Sequence, residues 1–266
     1  MYATNSFLLV CADVVEVSNS LVSRTVKAIS RMIASKRPDI IKMPNPENVL
    51  ECQQKFYAMY GFPKVIGAID CTHIPIYCPG GANAERFRCR KNYFSINTQV
   101  ICGPDEKISN IVARWPGSTH DSRIFDNSSI CAKLEANEFN GLLIGDGGYA
   151  CKSYLMTPMR NPQTRPERRF NKSLSRTRVI VERLFGQWKR RFPILSKGIR
   201  MKLETALNII VATAVLFNIT KNDNNALFPD EEVANAEEPD MVVQGLHADN
   251  VLGNAVRRDI VNRYFS

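Results

Sequence analysis

The chain has 266 residues, 44% of them hydrophobic, which suits one large domain with a real core plus a smaller one. Its 35 Lys and Arg against 26 Asp and Glu leave a net charge of +9, a balance that favours anionic partners such as nucleic acid. No apolar run approaches the roughly 20 residues needed to cross a bilayer, and "FLLVCADVV" near the start lacks the basic flank and cleavage site of a signal peptide, so neither a membrane nor a secreted context is expected.

Residues 7–36, "FLLVCADVVEVSNSLVSRTVKAISRMIASK", read as two helices around "VSNS". Leu21, Val22, Val26, Ile29 and Ile33 recur at helical steps, Ser18 or Ser20 can cap the second helix, and Arg24, Lys27 and Arg31 would lie on its exposed side. Two short helices with a basic second one fit a helix-turn-helix, and equally an ordinary helical hairpin. A complete helix-turn-helix domain wants another helix in front, so the chain is expected to start inside that region. "RPDIIKMPNPENV" (37–49) is a proline-marked connector, and "LECQQKFYAMYGFP" (50–63) a short helix ending at Gly61. Strands are predicted at 64–74, 95–103, 107–116 and 141–150, with "GPDEK" joining the second and third as a hairpin. Helices are predicted over 122–136, 175–192 and 203–221, with a proline-punctuated loop at 158–175. Between Asp223 and Met241 stand seven acidic residues and no Lys or Arg, a solvated segment, before a basic amphipathic end that can dock as a short helix. The pattern predicts a mixed α/β sheet, with residues 1–49 as a helical region, 50–222 as the main domain and 223–266 as the tail.

Eight cysteines without a Cys-x-x-Cys pair, and only His73, His120 and His247, argue against a disulfide framework and against a zinc site. Reduced, mostly buried thiols point to an intracellular compartment, and the basic balance to the nucleus.

The chemistry-bearing residues are acidic. Asp70 and Asp146 each close an apolar run, and Asp121 follows the third strand in "WPGSTHDSRIF". Glu182 sits at the border of a helical stripe made by Val181, Phe185, Trp188 and Phe192, on the side that carries Arg178, Gly186 and Lys189. If the first, third and fourth strands are parallel and the second antiparallel, the three aspartates meet at one sheet edge. Grouped carboxylates repel unless cations neutralise them. Hard oxygen donors suit Mg²⁺ or Mn²⁺, and two such ions about 4 Å apart can activate water and stabilise the leaving oxygen of a phosphodiester.

The cations complement this. Residues 165–200 hold twelve Lys and Arg against two Glu, a net +10, among them Arg168, Arg169, Arg178, Lys189, Arg190 and Arg191. Arg86, Arg88, Arg90 and Lys91 interleave with Phe87, Tyr93 and Phe94 as a second patch whose rings, if exposed, can stack on bases. Each residue also has a plain structural reading. Asp121 or Thr119 can cap the next helix, Glu182 beside Arg183 can be a surface ion-pair former, His73 and His120 can be hydrogen-bonding neighbours, and Trp115 and Trp188 can be core.

The blocks "VIGAIDCTHI", "WPGSTHDSRIF", "GDGGY" and "RVIVERLFGQWKRRFPIL" resemble the DDE nuclease blocks of PIF/Harbinger transposases and of the host nucleases derived from them in animals. The resemblance runs from the helix-turn-helix region to about residue 220, and the 36-residue interval from Asp146 to Glu182 agrees with it. It implies a ribonuclease H-like fold with a mixed five-stranded sheet flanked by helices. It also implies Asp70, Asp146 and Glu182 as catalytic carboxylates, Asp121 as a further metal-site residue, and Mg²⁺ or Mn²⁺ as cofactor. DNA is the implied substrate and the nucleus the implied location, with the cytoplasm as a second one. A Myb/SANT-like accessory protein and a homo-oligomer are the implied partners. The family's helical N-terminal region is longer than the one here.

Two functions are therefore carried forward: a divalent-metal-dependent nuclease that hydrolyses DNA, and a catalytically silent, domesticated DNA-binding or chromatin adaptor. An aspartyl-phosphate phosphatase is set aside, because Thr72 stands where that chemistry wants a second Asp.

Overall fold

The computed structural model describes residues 16–222 and 250–266, together with Tyr2, Ala12 and Val14. The first helix expected before "VSNS" falls largely outside the described residues, as does the acidic segment.

The first helix that follows "VSNS" is α1 (Asn19–Ala34), where the Ser18 side chain accepts from the Leu21 amide as N-cap. After a single turn, α2 (Arg37–Ile40), comes α3 (Val49–Tyr60), which ends on Gly61 in the left-handed conformation (φ 72°). Next come β1 (Val65–Pro75), β2 (Ser95–Cys102) and β3 (Ile108–Pro116). They are followed by the short helices α4 (Asp121–Asp126) and α5 (Ser129–Glu135) and by the brief strands β4 (Leu142–Ile144) and β5 (Leu155–Met156). Four helices complete the described residues: α6 (Arg165–Arg191), α7 (Ile194–Lys197), α8 (Leu203–Asn222) and α9 (Val251–Tyr264).

The sheet has five strands in the order β3-β2-β1-β4-β5. β2 is antiparallel to both neighbours, whereas β4 runs parallel to β1 and β5 parallel to β4. This is the α/β, ribonuclease H-like arrangement expected. All eight residues of β2 are buried. α6 buries Phe170, Leu174, Ile180, Val181, Leu184 and Trp188 against the sheet, so Trp188 is core as anticipated. On that face the Cys102 thiol reaches the Ile180 carbonyl.

Three expectations need correction. Residues 158–175 are not a loop throughout, because α6 begins at Arg165. Pro166 is compatible with a first helical turn, where its missing N–H costs nothing, and Thr164 and Glu167 form a reciprocal capping box (Glu167 N to Thr164 Oγ1 3.3 Å, Thr164 N to Glu167 Oε2 3.0 Å). The helix expected over 122–136 is two helices, since the Ser128 hydroxyl starts a new one by accepting from the Cys131 amide at 3.2 Å. By length and composition alone, α8 is long and apolar enough to cross a membrane. Here it buries Ile209, Ile210, Ala214, Val215 and Phe217 and packs against α1 and β3 as a core helix.

The C-terminal stretch docks as α9. Gly253 lies so close to Cys151 that a Cβ there would stand 2.5 Å from its carbonyl oxygen. Phe265 stacks against Phe62 and Phe170 at 5.8 and 5.7 Å between ring centroids. The seven described cysteines are all free thiols.

Candidate active site

β1 is eleven residues long and β4 only three. Their pairing ends at Ala68 and Ile144, so from Asp70 onward the edge of β1 that faces away from β2 has no sheet strand beside it. Side chains from α6 fill that edge. Asp70 Oδ1 accepts from the Cys71 amide at 2.7 Å, and Oδ2 accepts from Arg178 Nη1 at 2.9 Å. The other guanidinium nitrogen of Arg178 donates to Glu182 Oε1 at 2.6 Å. One cation, 13% exposed, thus ties the first strand to the helical glutamate. Their i, i+4 spacing puts Arg178 and Glu182 on one side of the helix.

Asp146 follows β4 in a turn where its Oδ1 accepts from the Gly148 amide at 3.0 Å. Asp121 sits in the first turn of α4, and its Oδ1 accepts from Asn97 Nδ2 at 2.9 Å. The same Nδ2 also donates to the Thr119 carbonyl at 2.8 Å, fixing the β3–α4 turn to β2. Because strand side chains alternate, Asp70 (paired with Val100) and Asn97 (paired with His73) project to opposite faces. Asp121 therefore approaches from the Cys71 and His73 side, while Asp70 faces α6.

All four carboxylates nevertheless share one electrostatic field. Burial raises the Asp70 carboxyl to about 7; Arg178 opposes the rise, whereas Asp146 and Asp121 add to it. Burial also raises Asp146, against the Gly148 amide and Arg178, with Asp121 and Glu182 pushing further upward. Behind them, Cys71 and Tyr149 touch at 3.4 Å between Sγ and the hydroxyl. Both are raised well above their ordinary values by burial first, with Asp121 and Asp70 among the further causes.

The cations sort into two groups. Lys189 donates to the His73 carbonyl at 3.2 Å on the open edge of β1, and its pKa is lowered by burial and then by Lys91. His73 is lowered by burial, with Asp121 opposing and Lys189, Lys91 and Arg90 contributing. Lys91 and Arg90 from the β1–β2 loop thus gather with Lys189 beside the carboxylates, and Arg90 Nη2 lies 3.1 Å from His120 Nδ1.

Others are engaged elsewhere. Arg88 is held by both oxygens of Glu85 at 2.7 and 3.0 Å and lies 4.4 Å from the Phe94 ring centre. Phe87 and Phe94 pack against the core, so these rings are not offered to bases. Arg168 donates to the Gln163 carbonyl at 3.0 Å, and Arg169 to Phe265 O at the C-terminus. At about 100° per residue, Arg169 and Arg191 fall on the far side of α6 from Glu182, while Arg168 lies near its side at the other end. Arg86 and Arg190 are exposed, Arg86 in the loop and Arg190 in the last turn of α6.

Asn97 is the residue that pattern reading passed over. Its signal was present: three polar residues, Asn97, Thr98 and Gln99, in a strand whose every position is buried. Asn97 Oδ1, Thr98 Oγ1 and both side-chain polar atoms of Gln99 have no hydrogen-bond partner among the described residues.

A family profile described as DDE superfamily endonuclease matches residues 69–218, more than half of the chain and the whole span from Asp70 to Glu182. The chain belongs to the DDE superfamily endonucleases. It is 26% identical over its full length to the human protein named "Putative nuclease HARBI1", covering 77% of that protein. It is 24% identical to the Xenopus laevis protein of the same name over 89% of this chain and 72% of that one. An Arabidopsis thaliana protein named "Protein ALP1-like" is 28% identical over 65% of this chain and 47% of its own. No solved structure matches. The resemblance to Harbinger transposase-derived nucleases read from the four sequence blocks is borne out.

DDE endonucleases generally use divalent metals, and the donor set here fits them: four hard carboxylates, two of them pushed upward by burial and by neighbouring carboxylates, against one guanidinium. Among the described residues no three Asp, Glu, His or Cys side chains stand close enough to hold an ion as placed. Arg178 lies between Asp70 and Glu182, and Asp121 is turned to Asn97.

Proposed function

We propose that this chain is a divalent-metal-dependent endonuclease that hydrolyses DNA phosphodiester bonds. What supports the reading is the partly buried ion cluster in which Arg178 joins Asp70 to Glu182, with Asp146 and Asp121 near enough to raise the Asp70 carboxyl. Mg²⁺ or Mn²⁺ bound there would supply Lewis-acid polarisation of the phosphate and a water nucleophile at neutral pH. Asp70, Asp146 and Glu182 would hold it, with Asp121 reaching in from the opposite face. Lys189 and Lys91, on the rim, supply positive charge for the flanking phosphates, and Arg178 can move from the carboxylates to a phosphate oxygen when the site loads. Nuclear location and a Myb/SANT-like accessory protein belong to the same reading.

The test is nicking of supercoiled plasmid in Mg²⁺ or Mn²⁺ by the purified chain, by Asp70→Asn and by Glu182→Gln. Both variants should lose cleavage while keeping their circular dichroism spectra. Unchanged cleavage by both refutes the assignment. The ion pairing of Arg178 with Asp70 and Glu182 favours a second reading, a silent adaptor whose own guanidinium substitutes for the ion. That reading requires salt-sensitive DNA binding that survives loss of the carboxylates, with no cleavage in any metal.

A further inference from the structure

The open edge of β1 continues past the carboxylates. Lys189 Nζ occupies the His73 carbonyl. Two residues on, the Pro75 carbonyl accepts from the Ile199 amide at 2.9 Å, and the Tyr77 amide donates back to the Ile199 carbonyl at 3.2 Å. The backbone groups of residues 73, 75 and 77 alternate onto the same edge, so Lys189 and the segment after α7 line one side of the strand, on which the Tyr77 side chain follows that of His73 rather than that of Asp70. Seven residues at about 3.3 Å each place Tyr77 roughly 23 Å from Asp70. That span corresponds to about seven stacked base steps at about 3.4 Å.

At the end of this track lies an open cavity of about 630 Å³ formed with Arg200, Met201, Lys202 and Leu203. Tyr77, just past the end of β1, lines it and is 61% exposed. The lining contains two cations and no carboxylate. An aromatic face bordered by cations and an apolar floor suits a nucleobase with its phosphate. Bases inside a duplex keep their faces covered, so the ring suits an unpaired one.

We propose that Tyr77, with Arg200 and Lys202, is a stacking platform for an unpaired base of a bound DNA strand. This inference rests on reading the carboxylate site as one that handles DNA. It goes beyond that reading by giving the flanking nucleotides a single-stranded form.

The test measures fluorescence anisotropy of the full chain, without added metal, on a blunt duplex and on the same duplex carrying a ten-nucleotide thymidine flank. Wild type should prefer the flanked probe. Tyr77→Ala should weaken flanked binding about 5- to 100-fold, with blunt binding unchanged. Tyr77→Trp should keep the preference and show fluorescence quenching with the flanked probe only. Arg200→Ala and Lys202→Ala should each reduce the salt slope on the flanked probe by about 0.7. The platform is overturned, with DNA binding intact, if Tyr77→Ala binds both probes as wild type does. If wild type binds neither probe at low salt, the DNA reading fails and this inference fails with it. Because the ring is largely exposed, the thermal midpoint of Tyr77→Ala should match wild type.

Discussion

Asp70→Asn should stabilise the metal-free protein, and increasingly so as pH rises. The Asp70 side chain is only 16% exposed, and its carboxyl is raised from 3.8 to about 7, by burial foremost and then by Asp146 and Asp121 against the pull of Arg178. A carboxyl whose folded-state pKa exceeds its unfolded value binds its proton more tightly when folded. Its contribution to stability is present below the unfolded pKa and is lost as pH rises through the folded one. From those two pKa values, ionising Asp70 costs the folded chain about 1.7 kcal/mol at pH 5 and about 4 kcal/mol at pH 8. The asparagine substitute does not ionise. Its amide oxygen still accepts from Arg178, and whatever that exchange costs is independent of pH.

The observable is therefore the change in the variant's advantage between the two pH values, about 2.5 kcal/mol, or about 5–10 °C in thermal midpoint for a chain of this size. Scanning calorimetry of both proteins in EDTA at pH 5 and pH 8 measures it. Saturating Mg²⁺ should reverse the order at pH 8, because an ion at the site favours the charged carboxylate and stabilises only wild type. A variant midpoint shift that is equal at both pH values, or that falls as pH rises, would refute the electrostatic account of the site.

Asn97→Ala should leave the fold intact but release Asp121, lowering divalent-cation affinity about 10- to 100-fold, as read by Mn²⁺ titration followed by electron paramagnetic resonance. An unchanged affinity would make Asn97 purely a β3–α4 fastener. Thr164→Ala removes one half of the capping box of α6 at a cost of about 1 kcal/mol, so the midpoint should drop by about 2–4 °C with cleavage retained.

The fold was readable where local pattern and final environment agree. β1, β2 and β3 fall within a residue or two of their sequence limits because each alternates or is apolar throughout and ends at a turn residue. β5, two residues long, carries no period to detect; it exists because Leu143 and Ile144 pair with Leu155 and Met156. The early start of α6 was hidden by Pro166, a residue that breaks helices in their interior but begins them well. At the site, strand-end position, helical phase and the family resemblance together suggested Asp70, Asp146 and Glu182 as neighbours. They did not reveal that Arg178 would join two of them, since an i, i+4 pair predicts a local bridge but not its third, distant member. Net charge likewise did not separate Lys189, which reaches the site, from Arg169, which fastens the C-terminus. Only helical phase and tertiary contacts make that division.

The location of the site follows from a mismatch in strand length. β4 stops at Ile144, and the turn that follows is closed by Asp146 through the Gly148 amide. β1, bonded along its other edge to β2 down to Pro75, continues without β4. A central strand left half-edged inside a sheet exposes unpaired carbonyls, and these must find donors. Lys189 meets one at His73 and the Ile199 amide another at Pro75. The side chains that satisfy the edge are thus drawn from the helix that carries Glu182, and the stretch of backbone they cover begins at Asp70. Extending β4 in register by two residues would set Asp146 opposite Asp70 and begin to fill this edge where Arg178 now meets Asp70. The short strand is therefore a condition of having a site.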